Sequence, residues 1–133
     1  MTKQTADFDA PDLAAQLEQL SEAEIDALPF GVIHLDRTFR VVLYSKPEAR
    51  MSGFGRQPIG EKFFDYAPRL GGGDFRGRIE QMMADGAVDL DIGWVGDFND
   101  PKRDLRIRVQ SASDGGIWMC VDRDPRSIAG NAG

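Results

Sequence analysis

The sequence has a single cysteine, Cys120, and a single histidine, His34. With one cysteine no disulfide can close within the chain, which fits a reducing compartment. One histidine and one cysteine do not make a metal-ligand set. No stretch reaches the ~18 consecutive apolar residues that a membrane-spanning helix needs. The opening residues, MTKQTADFDAPD, hold no apolar segment of the kind a secretory signal carries. Cytoplasmic location is the expectation. Basic runs are missing too: sixteen Lys and Arg are spread along the chain against twenty-two Asp and Glu, for a net charge of −6. Phosphate backbones need clustered cations, so nucleic acid is not expected as a ligand, nor is an anionic membrane. No GxxxxGK[ST] or GxGxxG follows a strand pattern, and Gly71 to Gly73 read as a flexible pocket-side loop. There is no G-x-S-x-G, and one histidine gives no Ser-His-Asp arrangement to argue from. No set of catalytic groups can be assembled, so the chain is not expected to be an enzyme.

What is there is ordinary globular material. The 133 residues make one domain, 41% hydrophobic and 29% charged, long enough to bury a core without staples. Residues 1–10 are polar and read as a loose N-terminus. Residues 11–30 read as a helical cap: Leu13, Leu17 and Leu20 form one stripe, and Ser21-Glu22-Ala23-Glu24 is a capping box whose helix carries Ile25 and Leu28 and stops at Pro29. The core is expected over 31–123. Gly31 to Leu35 and Phe39 to Tyr44 read as a hairpin, although Asp36-Arg37-Thr38 lacks the glycine that a tight turn prefers. Ser45 to Gly73 is broken by Pro47, Pro58 and Pro68 and reads as short helical turns. Asp74 to Gly86 is a longer helix with Phe75, Ile79, Met82 and Met83 as its apolar face.

Three alternating strands follow. Val88, Leu90, Ile92 and Trp94 alternate with Asp89, Asp91 and Gly93. Leu105, Ile107 and Val109 alternate with Arg106, Arg108 and Gln110. Ile117 to Val121 is the last strand, after the turn at Asp114-Gly115-Gly116. Alternation of this kind implies a core face and a wet face. Residues 124–133 read as a flexible tail. The fold class is α+β: a five-stranded antiparallel sheet with short helices on one face and an N-terminal helical cap.

This element order resembles the PAS fold. More narrowly, LPFGVIHLD, LYSKPEARMSG, QPIGEKFFDYAP and IWMCVDRD resemble the photoactive yellow protein family, from about Leu13 to Arg123. The resemblance implies a sensor or signalling domain. In that family a p-coumaric acid chromophore is joined to a cysteine by a thioester, and its phenolate is held by a tyrosine and a buried glutamate, with a threonine nearby. The matching positions are Tyr44, Glu48 and Ser52. The cysteine position, just after Ala67-Pro68, is Arg69, and a pocket-lining aromatic position is Phe98. Where the family places a shielding arginine after Gly53, this chain has Phe54, with Arg56 two residues later. The resemblance therefore implies a pocket that has kept its hydrogen-bonding end and lost its attachment point. No covalent p-coumarate is expected, nor haem or flavin.

Three readings of Arg69 stay open: exposure to solvent, an ion pair with Glu48, or contact with a small anionic ligand. Glu48 is either a buried carboxyl that burial makes harder to ionise or an exposed acid at a helix start. His34 reads as a partly buried strand residue near the cap. Leu13, Leu17 and Leu20 pack within the chain or form a partner or dimer surface. Two functions follow: a stand-alone signalling or adaptor module acting by protein contacts on an unknown regulatory partner, or a sensor of a non-covalent small ligand held between Tyr44, Arg69 and Phe98.

Overall fold

In a computed structural model of the chain, residues 5–52, 55–66, 74–96 and 102–123 are described. Arg69, Phe98, Gly71 to Gly73 and the tail from Asp124, each singled out by the sequence, lie outside the described residues. The strands are β1 (Gly31–Leu35), β2 (Val41–Tyr44), β3 (Asp89–Val95), β4 (Asp104–Ser111) and β5 (Ile117–Arg123). The helices are α1 (Leu13–Leu17), α2 (Glu22–Asp26), α3 (Lys46–Ser52), α4 (Phe63–Tyr66) and α5 (Asp74–Asp85). The strands form one antiparallel sheet in the order β2-β1-β5-β4-β3.

The sheet carries a core on each face. Ile33, Leu35, Val41, Leu90, Ile107, Val109, Ile117 and Met119 point to the inner face, where Phe63, Phe64, Phe75 and Ile79 from α4 and α5 cover them. Met82 and Met83 pack against the edge of this cluster. The other face was expected to be wet; it is so along β3, where Asp89, Asp91, Gly93 and Val95 are exposed, but not over β1 and β5. Val32, Trp118 and Cys120 form a second cluster there with Leu13, Leu17, Ile25 and Leu28 of the N-terminal cap. One further expectation changes with it. Residues 1–10 are not loose throughout: Ala6, Phe8 and Ala10 are buried. Of the two readings of Leu13, Leu17 and Leu20, packing within the chain or a partner or dimer surface, the first is what the fold has: Leu13 and Leu17 are 2% and 1% exposed on this chain's own sheet, and Leu20 packs at the margin of the same cluster.

Polar side chains fasten the cap. Arg108, on the buried outer face of β4, donates through Nη1 to the carbonyls of Phe8 (2.7 Å) and Ala10 (2.6 Å). Gln110 accepts from Ala14 N–H at 2.8 Å and donates to Pro11 O at 2.9 Å. Arg106 reaches Asp9 and Asp91, and its guanidinium lies over the Phe8 ring. The capping box at Ser21 forms as expected, with Glu24 N–H donating to Ser21 Oγ and Ser21 N–H to Glu24 Oε1.

The β1–β2 turn dispenses with glycine at an identifiable cost. Asp36 Oδ1 accepts from Thr38 N–H, Thr38 O–H and Arg40 N–H, and Phe39 takes a φ of 67°. A left-handed conformation costs an L-residue roughly 1–2 kcal/mol. The Phe39 ring offsets it by burying itself edge-on against Phe64 at 5.2 Å between centroids.

A second polar cluster joins cap and sheet. The Trp118 indole N–H donates to Glu18 Oε2 at 2.9 Å, as does Ser113 N–H at 2.8 Å. His34 stacks on Trp118, with centroids 4.3 Å apart, and its Nε2 lies 3.0 Å from Asp114 Oδ2. For Glu18, partial burial pushes the carboxyl up, but the hydrogen bonds from Ser113 and Trp118 and the nearby His34 outweigh it and hold it below its ordinary range. Asp114 is also held low: burial opposes, while Gly116 N–H and His34 prevail. A carboxyl depressed in the fold contributes stability above its unfolded pKa and loses it as pH falls through the folded value. The cap is therefore expected to loosen on acidification below about pH 5, read as a change in Trp118 fluorescence, and Glu18→Gln should flatten that response. An unchanged acid response in Glu18→Gln would show that the bond does not fasten the cap.

Candidate functional site

The site begins where β2 becomes α3. Ser45 is the hinge. Its Oγ accepts from Val32 N–H at 3.0 Å and from Glu48 N–H at 3.2 Å, so one buried hydroxyl ties β1 to the first turn of α3. Asp26 of the cap accepts from Lys46 N–H at 2.8 Å and holds the same turn from outside. Glu48 and Ser52 lie four apart, on one face of α3, and that face is turned inward. Tyr44, Glu48 and Ser52 are 2%, 4% and 0% exposed. Three of the expected site residues are thus buried together at the end of β2 and along α3. The carbonyl of Tyr44 accepts from Gln57 Nε2 at 2.7 Å, which ties the following turn to the same place.

The sequence reading missed the residue that determines the chemistry of this site. Arg123, the last residue of β5, donates from Nη1 to Glu48 Oε1 at 2.8 Å and from Nη2 to Glu48 Oε2 at 2.9 Å. Both side chains are 5% exposed. This is the two-bond fork in which guanidinium and carboxylate match best. It favours the ionised form of Glu48, the opposite of what burial alone would do. Of the two earlier readings of Glu48, the exposed acid at a helix start is ruled out by its burial; the carboxyl is buried, with a guanidinium beside it that opposes what burial does.

Gly31 makes the fork fit. A Cβ at that position would overlap Glu48 Oε1, so the strand beside the carboxylate has room only for glycine. A nearby contact closes the same end, where Arg103 Nη1 donates to Met51 O at 3.0 Å.

Cys120 is on the other face of the sheet. It is 1% exposed in the cap cluster with Val32 and Trp118, whereas Tyr44 belongs to the inner core. Burial pushes its thiol far up, disfavouring the thiolate that nucleophilic or acyl-transfer chemistry uses. Among the described residues no group of three or more His, Cys, Asp or Glu is placed to hold a metal ion. Nor, among them, is any helix long and apolar enough to cross a membrane.

No protein-family model matches the chain. Individual proteins do. A photoactive yellow protein from Rhodothalassium salexigens is 29% identical over 119 residues, 87% of this chain and 95% of that protein. One from Rhodobacter capsulatus is 30% identical over 106 residues, 76% of this chain and 84% of that protein. Among solved structures, the photoactive yellow protein domain of the sensor histidine kinase Ppr from Rhodospirillum centenum matches with a TM-score of 0.73 and 32% identity, covering 82% of this chain and 98% of that one. Matches of this length and identity, on a shared five-stranded PAS sheet, establish that the chain belongs to the photoactive yellow protein family.

Proposed function

We propose that this protein is a PAS signalling or adaptor module that works through protein contacts, and that it is neither a p-coumarate photoreceptor nor an enzyme. The observation that carries the reading is the fork between Glu48 and Arg123. A phenolate needs hydrogen-bond donors. An ionised carboxylate has none, and both oxygens of Glu48 already accept from a guanidinium. The family resemblance of the sequence puts Arg69 at the attachment position, and the sole cysteine, Cys120, packs in the cap cluster. The described residues therefore do not fit a thioester-linked p-coumarate. The likeness to a domain of a sensor histidine kinase supports a role in signal transduction. Arg69 and Phe98, which a non-covalent ligand would touch, lie outside the described residues, and nothing else favours the ligand-sensor reading over the adaptor.

The test is an absorption spectrum and native mass of the purified protein, before and after incubation with an activated thioester of p-coumarate. The expected result is no visible band and the bare chain mass in both. A yellow protein with a mass increment of one coumaroyl group would overturn the proposal.

A further inference from the structure

Charge is distributed unevenly along this acidic chain. From Arg37 to Lys62 there are six basic and two acidic residues, and the rest of the chain has ten basic and twenty acidic. One of the two acids in the segment, Glu48, is buried against Arg123. Three of the six basic side chains, Lys46, Arg50 and Arg56, line an open groove of about 250 Å³ between α3 and the turn after it, together with Ala49, Gly55 and Gln57. Lys46 and Arg50 are exposed and make no ion pair among the described residues. Arg56 is held by Glu61, whose carboxyl that guanidinium keeps below its ordinary range.

An independent feature adjoins it. Among the described residues three large apolar side chains are exposed, and two of them, Val42 (47%) and Ile59 (53%), lie in the same stretch of chain as the groove residues, on β2 and on the turn that follows Gln57. The chain after Gln57 is stitched along β2, with Gly60 N–H donating to Val41 O at 2.8 Å and Val41 N–H to Glu61 O at 2.9 Å. Val42, on the edge strand, and Ile59, on the turn stitched along it, are therefore close to each other on the sheet edge that leads into α3.

We propose that this groove docks an acidic segment of a partner protein, with carboxylates on Lys46, Arg50 and Arg56 and an apolar residue on Val42 and Ile59. A small anion fits less well, because none of the three cations is buried and an open site holds a lone anion weakly. A segment with several spaced carboxylates draws on all three cations and on the apolar rim at once. The inference rests on the proposed role in protein contacts and names its surface. The groove also adjoins the buried site, since Ala49 and Arg50 directly follow Glu48 in α3 and Gln57 bonds the Tyr44 carbonyl.

The test uses the full chain and a dye-labelled synthetic peptide of alternating Asp, Glu and Leu, with binding followed by fluorescence anisotropy and by amide NMR shifts. Shifts are expected at Ala49, Arg50, Gly55 and Gln57. Lys46→Glu with Arg50→Glu should weaken binding at least about tenfold, and raising salt from about 50 to about 300 mM should weaken it in the same sense. Glu61→Gln, which removes a carboxylate that competes for Arg56, should tighten it. Shifts located elsewhere, indifference to the charge reversals, or equal binding of inorganic tripolyphosphate at these residues would overturn the proposal. This outcome is independent of the p-coumarate test: a colourless protein that ignores the peptide loses only the groove, and a yellow protein that binds it loses only the adaptor reading.

Discussion

Arg123→Met is expected to destabilise the protein by about 3–5 kcal/mol, the range for breaking a buried ion pair from one side. The substitution keeps most of the side chain's volume, so packing is not what is lost. Its effect is to take both guanidinium hydrogen bonds from Glu48, a carboxylate 4% exposed and packed beside the strand at Gly31. Without the guanidinium, the buried carboxyl must either stay charged at a higher cost or take up a proton. The second outcome gives the variant a signature that a packing defect lacks: its stability should improve on acidification over the range where Glu48 becomes protonated, because a carboxyl raised in the fold stabilises below its folded value. Replacing both partners, as in Glu48→Met with Arg123→Met, should recover most of the loss, since well-packed apolar pairs often equal buried ion pairs. Urea unfolding at constant slope measures all three. A loss below about 1 kcal/mol for Arg123→Met would mean that the pair is not closed in solution.

The second large effect is expected at Arg108→Met, with a loss of about 3 kcal/mol. Two hydrogen bonds from a charged donor disappear, and the carbonyls of Phe8 and Ala10 are left without them. The consequence should be local as well as global. Residues 5–12 are expected to become the first site of limited proteolysis, and the Phe8 ring to leave its edge contact with Phe30, now 5.2 Å between centroids. Unchanged cleavage of that segment would show that the cap is held by its leucines alone.

The inner half of the fold was legible because it follows one rule. In β3 and β4 every second residue is apolar, and those residues face α4 and α5. The capping box at Ser21 was equally plain. The outer half obeys no such rule. Arg106, Arg108 and Gln110 spell a wet face, and in a two-layer protein they would line one, but here a third layer lies over them: Arg108 and Gln110 turn donors to its backbone and Arg106 to the carboxylate of Asp9. Ala6, Phe8 and Ala10 recur at every second position, but two alanines and one aromatic between acids are too little apolar surface to announce a buried segment. Phe39 takes the backbone conformation that turn chemistry reserves for glycine, because its ring has somewhere to go.

For the site, Tyr44, Glu48 and Ser52 came from the family resemblance, and their burial agrees with it. Arg123 was missed although its signal was present. Ile117, Met119 and Val121 mark the inward parity of β5, and Arg123 continues it, so a charged residue falls on a core-facing position and requires a partner there. Asking which buried acid answered it would have led to Glu48. Strand parity carried past the last apolar residue is therefore a usable guide to buried charges.

The central claim is that Glu48 is an ionised partner of Arg123, not a proton-bearing ligand for a phenolate. The most direct measurement is the carboxyl carbon-13 shift of Glu48 at neutral pH, compared with Arg123→Met. The account predicts an ionised carboxyl in the native protein and a shift toward the protonated form once the guanidinium is gone. A carboxyl already protonated in the native protein at neutral pH, indifferent to Arg123, would contradict it.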